Sequence, residues 1–73
     1  MKFVPGRLEV AVGDRITWRN VDFVPHSVTA EEAGVESGDL AQNARWTWTA
    51  RKKGEVAYVC RLHPMMRAVV LVK

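Results

Sequence analysis

Apolar residues recur at every second position along most of this chain, and that period favours strands over helices. Leu8, Val10 and Val12 share one parity while Glu9 and Ala11 take the other. Ile16 and Trp18 alternate with Arg15, Thr17 and Arg19, and His26, Val28 and Ala30 alternate with Ser27 and Thr29. Further along, Trp46, Trp48 and Ala50 alternate with Thr47 and Thr49, and Val56, Tyr58 and Cys60 with Ala57 and Val59. Successive side chains of a strand point to opposite faces, so each run predicts a half-buried strand. The last run, from Ala68 to Val72, is apolar on both faces, as in a strand buried inside a sheet. Gly13-Asp14 marks a turn. From Glu31 to Arg45 the pattern lapses: Gly34, Ser37, Gly38 and Asn43 interrupt it, and its apolar residues are too sparse for a helical stripe. A loop with one helical turn near Leu40 is expected there. The sum is an all-β sandwich or barrel of about seven strands.

The chemistry is concentrated in the run Cys60-Arg61-Leu62-His63-Pro64-Met65-Met66, with a second histidine, His26, beside Pro25. Cysteine occurs once and histidine twice, so one site uses all of both. A thiolate, two imidazoles and a thioether are the ligands of a blue-copper centre, two His and one Cys in a plane with a weak axial Met. Soft sulfur suits Cu(I), and imidazole suits both oxidation states. His26 shares the parity of Val28, and Cys60 that of Tyr58, so both are expected to point inward. His63 and Met66 are expected beyond the strand end, on a loop that folds back to the same point. Taken singly, a strand-end Cys is usually an inert buried thiol. Their joint type and spacing point instead to a metal. Zinc is the rival, but its structural sites take four N or S ligands from Cys and His, and this chain has three such residues.

At 73 residues the chain is expected to form a single domain, 1–73, with a core that buries roughly 60% of the unfolded surface. One Cys forms no internal disulfide, which leaves a metal, self-association or dense packing to supplement that core. No apolar run spans a bilayer, and the N-terminal residues contain no stretch long enough for a signal peptide. A leader, if the protein is exported, is expected to have been removed before this numbering begins. Eleven Lys and Arg against eight Asp and Glu give a modest positive charge. Its clusters, Arg51 to Lys53 and the acidic Glu31, Glu32, Glu36 and Asp39, are expected to be solvated loop surface. Nucleic-acid binding is disfavoured, since Trp46 and Trp48 lie on the presumed core face and no basic residues interleave with exposed aromatics.

The chain resembles the cupredoxins, and within them the amicyanin branch. Cys60, His63 and Met66 reproduce the short Cys-x2-His-x2-Met loop of that branch. The segment from Val12 to Trp18, the Pro25-His26 pair, Gly54 with Tyr58 before Cys60, and Pro64 after His63 match as well. The resemblance implies a Greek-key sandwich holding one copper ion that cycles between Cu(II) and Cu(I). It implies an electron carrier, not an enzyme, since two histidines cannot build the further copper centres of a multicopper oxidase. In this reading His26 is the buried imidazole, Cys60 the thiolate and His63 the exposed ligand where electrons pass. Met66 is the axial sulfur, leaving Met65 to face solvent or a partner. Phe23, Val24, Pro25, Pro64 and Met65 then form an apolar collar on which protein donors and acceptors dock transiently. A periplasmic location follows by family habit. A copper chaperone or store with the same ligands is the alternative. Three departures from the family carry expectations. The matching region starts after the family's first strand, leaving an unpaired edge through which copies could associate. Ser27 stands where the family often has Asn, and its hydroxyl must tie the ligand loops over a shorter reach. Leu62 replaces proline before His63 and keeps an N–H that can approach the Cys60 sulfur.

Overall fold

The computed structural model describes residues 2–73. Seven strands form along them: β1 (Arg7–Val10), β2 (Arg15–Arg19), β3 (Thr29–Ala30), β4 (Val35–Glu36), β5 (Arg45–Thr49), β6 (Gly54–Cys60) and β7 (His63–Val72). Five of them make one sheet in the order β1-β7-β6-β3-β4, and β2 and β5 pair as a second. The β1–β7 pairing is parallel and the others antiparallel. The result is a mostly-β, seven-stranded sandwich, one of the forms the alternation allows, with the cupredoxin-like frame that the resemblance implied. No helix among the described residues is long and apolar enough to cross a membrane.

The alternation sets which side chains fill the gap between the sheets. Ile16 from β2, Tyr58 from β6 and Ala68, Val70 and Val72 from β7 are buried, with Val28, Val35 and Ala50 completing the cluster. Burying the Ile and Val side chains of this cluster stabilises the fold by about 1.5–3 kcal/mol each. All three tryptophans pack against it as expected. Trp18 lies opposite Trp46 across the β2–β5 pair, meets the Tyr58 ring edge-on at 5.4 Å and donates its indole N–H to the Tyr58 hydroxyl at 3.3 Å. β7 runs between β1 and β6, with Ala68, Val70 and Val72 buried on its core face and Val69 and Leu71 half-buried on the other. Between β1 and β2, Gly13 takes φ +98°, open to glycine at little cost. Asp14 closes this turn by accepting the Ala11 N–H at 2.9 Å.

The structure corrects four local expectations. The helical turn is a 3-10 turn at Glu31–Ala33, ended by Gly34 in the left-handed region, and not near Leu40. Leu40 instead forms an isolated antiparallel bridge with His26. His26 therefore stands in a bridge ahead of β3 and not within a strand running on to Ala30. Val12 falls outside β1 and is exposed, because the chain turns at Ala11. Most consequential, β7 begins at His63. His63 and Met66 belong to a strand, not to a loop beyond one, and only Arg61-Leu62 connects it to β6.

Candidate metal centre

His26, Cys60 and His63 converge where the β6–β7 hairpin turns. The Cys60 sulfur lies 3.6 Å from His26 Nδ1 and 3.7 Å from His63 Nδ1. All three donor atoms fall within 4.8 Å of one another. An ion bonded to thiolate at about 2.3 Å and to imidazole at about 2.0 Å, with angles near 110–120°, needs sulfur–nitrogen edges of about 3.5–3.7 Å. The observed edges have that length, so the cluster fits a single copper ion.

Each arm is fixed by its neighbours. The His26 backbone exchanges both hydrogen bonds with Leu40, at 3.1 and 2.7 Å. Its Nε2 lies 2.8 Å from Asp22 Oδ2. Donation of the Nε2 proton to that carboxylate leaves a lone pair on Nδ1, the atom facing the sulfur, which is the tautomer a metal requires. Asn20 organises the same loop. Its buried amide donates to the carbonyls of Val24 at 2.9 Å and Leu40 at 2.7 Å, and its oxygen accepts the Asp22 N–H at 2.8 Å. Ser27, fully buried, ties the two ligand segments as its position implied. Its N–H donates to the Cys60 sulfur at 3.3 Å, and its hydroxyl accepts the Arg61 N–H at 2.9 Å.

These contacts set the charge on the sulfur. Cys60 is 0% exposed, and burial alone raises a thiol pKa. The Ser27 N–H opposes this first, then His63, then His26, then the Leu62 N–H, and together they bring the thiol from 9.0 down to about 6. Leu62 thus acts on the sulfur in the expected direction, as the weakest of the four. At neutral pH the site presents a thiolate, the form that binds soft metals.

Met66 is buried, 5% exposed, whereas Met65 is 92% exposed. The register of β6 on β7 runs regularly from Gly54↔Val72 to Val59↔Arg67 and then breaks, so that Cys60 pairs with His63. Continued one step without the break, it sets Met66 opposite Cys60, and residues opposite each other share a face. Met66 also lines the same groove as His26 and Ser27. Sequence reasoning missed Asp22 and Asn20. The only signal for Asp22 was an acidic residue four positions before His26, in a segment whose loop geometry no periodicity describes.

A sandwich that brings one cysteine between two imidazoles, with a thiol poised to ionise, has the frame and donor set of the cupredoxin class. Comparison with known proteins agrees: the chain belongs to the copper binding proteins of the plastocyanin/azurin family, whose pattern matches residues 1–73. It is 32% identical to amicyanin of Paracoccus denitrificans, covering 100% of this chain and 60% of that protein. It is 30% identical to amicyanin-alpha of Methylorubrum extorquens, covering 100% of this chain and 66% of the relative. The chain thus spans less than two thirds of either relative's length. Superposed on a solved amicyanin variant in its Cu(I) form, it gives a TM-score of 0.92 at 32% identity, over 100% of this chain and 74% of the other.

Proposed function

We propose that this chain carries single electrons between protein partners through one copper ion held by His26, Cys60, His63 and Met66. The observation that carries the reading is the His26–Cys60–His63 cluster itself, its edges sized for one ion and its sulfur ionised at neutral pH. Copper bound there supplies a Cu(II)/Cu(I) couple. The chain's own part is to hold the donors still. Cys60 and His63 lie at the two ends of a tight hairpin turn, and His26 is braced by Leu40 and Asp22. Little then has to move when the charge changes. Support for Met66 as the axial ligand is its burial, its side of the sheet and the family spacing.

His63 is the partly exposed member of the trio, which favours it as the point of electron passage. The residues beside the two histidines, Phe23, Val24, Pro25, Pro64 and Met65, are all exposed, Phe23 to 91%. An apolar rim of this kind suits brief, partly dehydrated contact with donor and acceptor proteins. Periplasmic residence rests on the resemblance to amicyanins. Among the described residues the outer edges of the β2–β5 pair are unpaired, which supports association of copies through a strand edge; sedimentation at two concentrations measures it.

The test is an optical spectrum after adding Cu(II), then ascorbate. An intense visible band that ascorbate bleaches and reoxidation restores supports the carrier. A colourless protein that takes up only Cu(I) refutes it and identifies a copper store or chaperone.

A further inference from the structure

Behind Ser27 a line of hydrogen bonds runs outward from the ligand hairpin. The Ser27 hydroxyl accepts the Arg61 N–H at 2.9 Å and lies 2.9 Å from the Thr29 hydroxyl. Thr29 donates to Glu36 Oε1 at 3.0 Å. The other Glu36 oxygen accepts the Gly38 N–H at 2.7 Å. Ser27 and Thr29 are buried, while Glu36 reaches in from the surface of β4.

Each hydroxyl has one proton, and a carboxylate only accepts. Those two facts fix every direction in the line. Glu36 requires the Thr29 proton, because otherwise two acceptors face each other at 3.0 Å. Thr29, its proton committed, accepts from Ser27. Ser27, its own proton committed in turn, turns its lone pairs to the Arg61 N–H. The Gly38 N–H, with help from Thr29 and Arg61, holds the Glu36 carboxyl below its ordinary value of 4.5, so the terminal acceptor stays ionised at neutral pH. The side chain of Arg61 returns to the same end of the line, with Nε 3.7 Å from Glu36 Oε1 and Nη2 2.8 Å from Asp39 Oδ1. Residue 61 is thus held by both its backbone and its side chain, one peptide beyond Cys60.

We propose that Thr29 and Glu36 are positioning residues for the Cys60 thiolate, acting through Ser27 as an acid-anchored hydroxyl relay that fixes the Arg61 peptide. The relay answers the shorter reach of Ser27: a lone serine hydroxyl rotates freely, whereas this one has a single allowed orientation. Because its proton goes to Thr29, Ser27 meets the Cys60 sulfur only through its backbone N–H. The positioning role rests on the copper reading above; the bond order does not.

Amide exchange at Arg61 in the metal-free protein tests the relay. Thr29→Val removes the relay hydroxyl, Thr29→Ser restores it, and Glu36→Gln removes the charge that imposes direction. Thr29→Val and Glu36→Gln should speed Arg61 exchange about two- to tenfold, the range of one net hydrogen bond, and Thr29→Ser should match the parent. Unchanged exchange in both altered variants overturns the relay. If Thr29→Val fails to fold, Glu36→Gln, altered only at an exposed residue, decides alone. In the copper-loaded protein the same two variants should shift the reduction potential while Glu55→Gln, exposed near the start of β6, should not. A potential unmoved by variants that loosen Arg61 overturns the positioning role. Failure of the parent to colour with Cu(II) overturns the copper reading and the positioning role with it, while the exchange rates still decide the hydrogen-bond order.

Discussion

The metal-free protein should gain stability with rising pH in a window set by one thiol. Cys60 titrates at about 6 in the fold against 9.0 as an ordinary cysteine. A folded-state pKa below the unfolded one means that the unfolded chain binds more protons between the two values, so stability rises with pH there. The contribution is complete above pH 9 and is lost as pH falls through about 6. Three pKa units correspond to about 4 kcal/mol at full extent, of which about 1.4 kcal/mol is present at pH 7. Glu9 and Glu36, both lowered from 4.5, titrate below this window and do not contribute within it. The assay is denaturant unfolding at fixed steps from pH 5 to pH 10, on the parent and on Cys60→Ser. Subtracting the second curve from the first removes the other titrating groups to first order. Thiolate absorbance in the ultraviolet, followed over the same range, gives the folded pKa directly. A difference curve flat from pH 6 to 9, or a thiol that ionises near 9, refutes the view that Ser27 and the two imidazoles stabilise the anion.

Three further substitutions address the other arms of the site. Met66→Leu should leave copper bound and move its reduction potential upward, as loss of a weak sulfur donor disfavours Cu(II); an unmoved potential measured by voltammetry excludes Met66 as a ligand. Asp22→Asn replaces the carboxylate 2.8 Å from His26 Nε2 and should weaken copper binding about 10- to 100-fold in a competition titration. Equal affinity would show that His26 needs no anionic partner. Ser27→Ala strands the Arg61 N–H and should destabilise the metal-free protein by about 1–3 kcal/mol in denaturant unfolding; a loss within error would mean that water replaces the hydroxyl.

The parts of this molecule written in a period of two were legible in its sequence. Ile16, Trp18 and Tyr58 were each placed on one face of a strand from parity alone, and they lie in the core or pack against it. The cluster of His26, Cys60 and His63 was legible because cysteine and histidine are so few that one site absorbs them. The segment from Glu31 to Arg45 was not. β3 and β4 have two residues each, too short for alternation to show, and their pairing of Thr29 with Glu36 depends on where the Glu31–Ala33 turn falls. Asp22 and Asn20 act through loop geometry, with side chains bonded to carbonyls and N–H groups that no spacing rule locates.

In the β6–β7 hairpin, His63 and Met66 were expected on a loop beyond the strand and lie on a strand instead. In an unbroken antiparallel ladder Cys60 would face Met66, and His63 would project to the opposite side from a residue three places later. One strand cannot then offer both His63 and Met66 to a single point. The irregularity after Val59 resolves this by adding residues to β7 alone, so that Cys60 pairs with His63 while Met66 stays on the buried face. Extra residues on one strand bend it and re-aim its side chains, a recurrent feature beside functional sites. The spacing of two residues between His63 and Met66 is therefore a property of a bulged strand and not of a flexible loop. Pairing with β6 on both sides of the irregularity, at Val59↔Arg67 and Cys60↔His63, restrains this stretch more than a loop of equal length, and the three donor atoms lie within 4.8 Å of one another. It follows that lengthening the connection at Arg61-Leu62 by one residue should harm the site more than the fold. The β6–β7 register from Gly54 to Val59 would survive, and the Cys60–His63 pairing that brings the sulfur to 3.7 Å from Nδ1 would not.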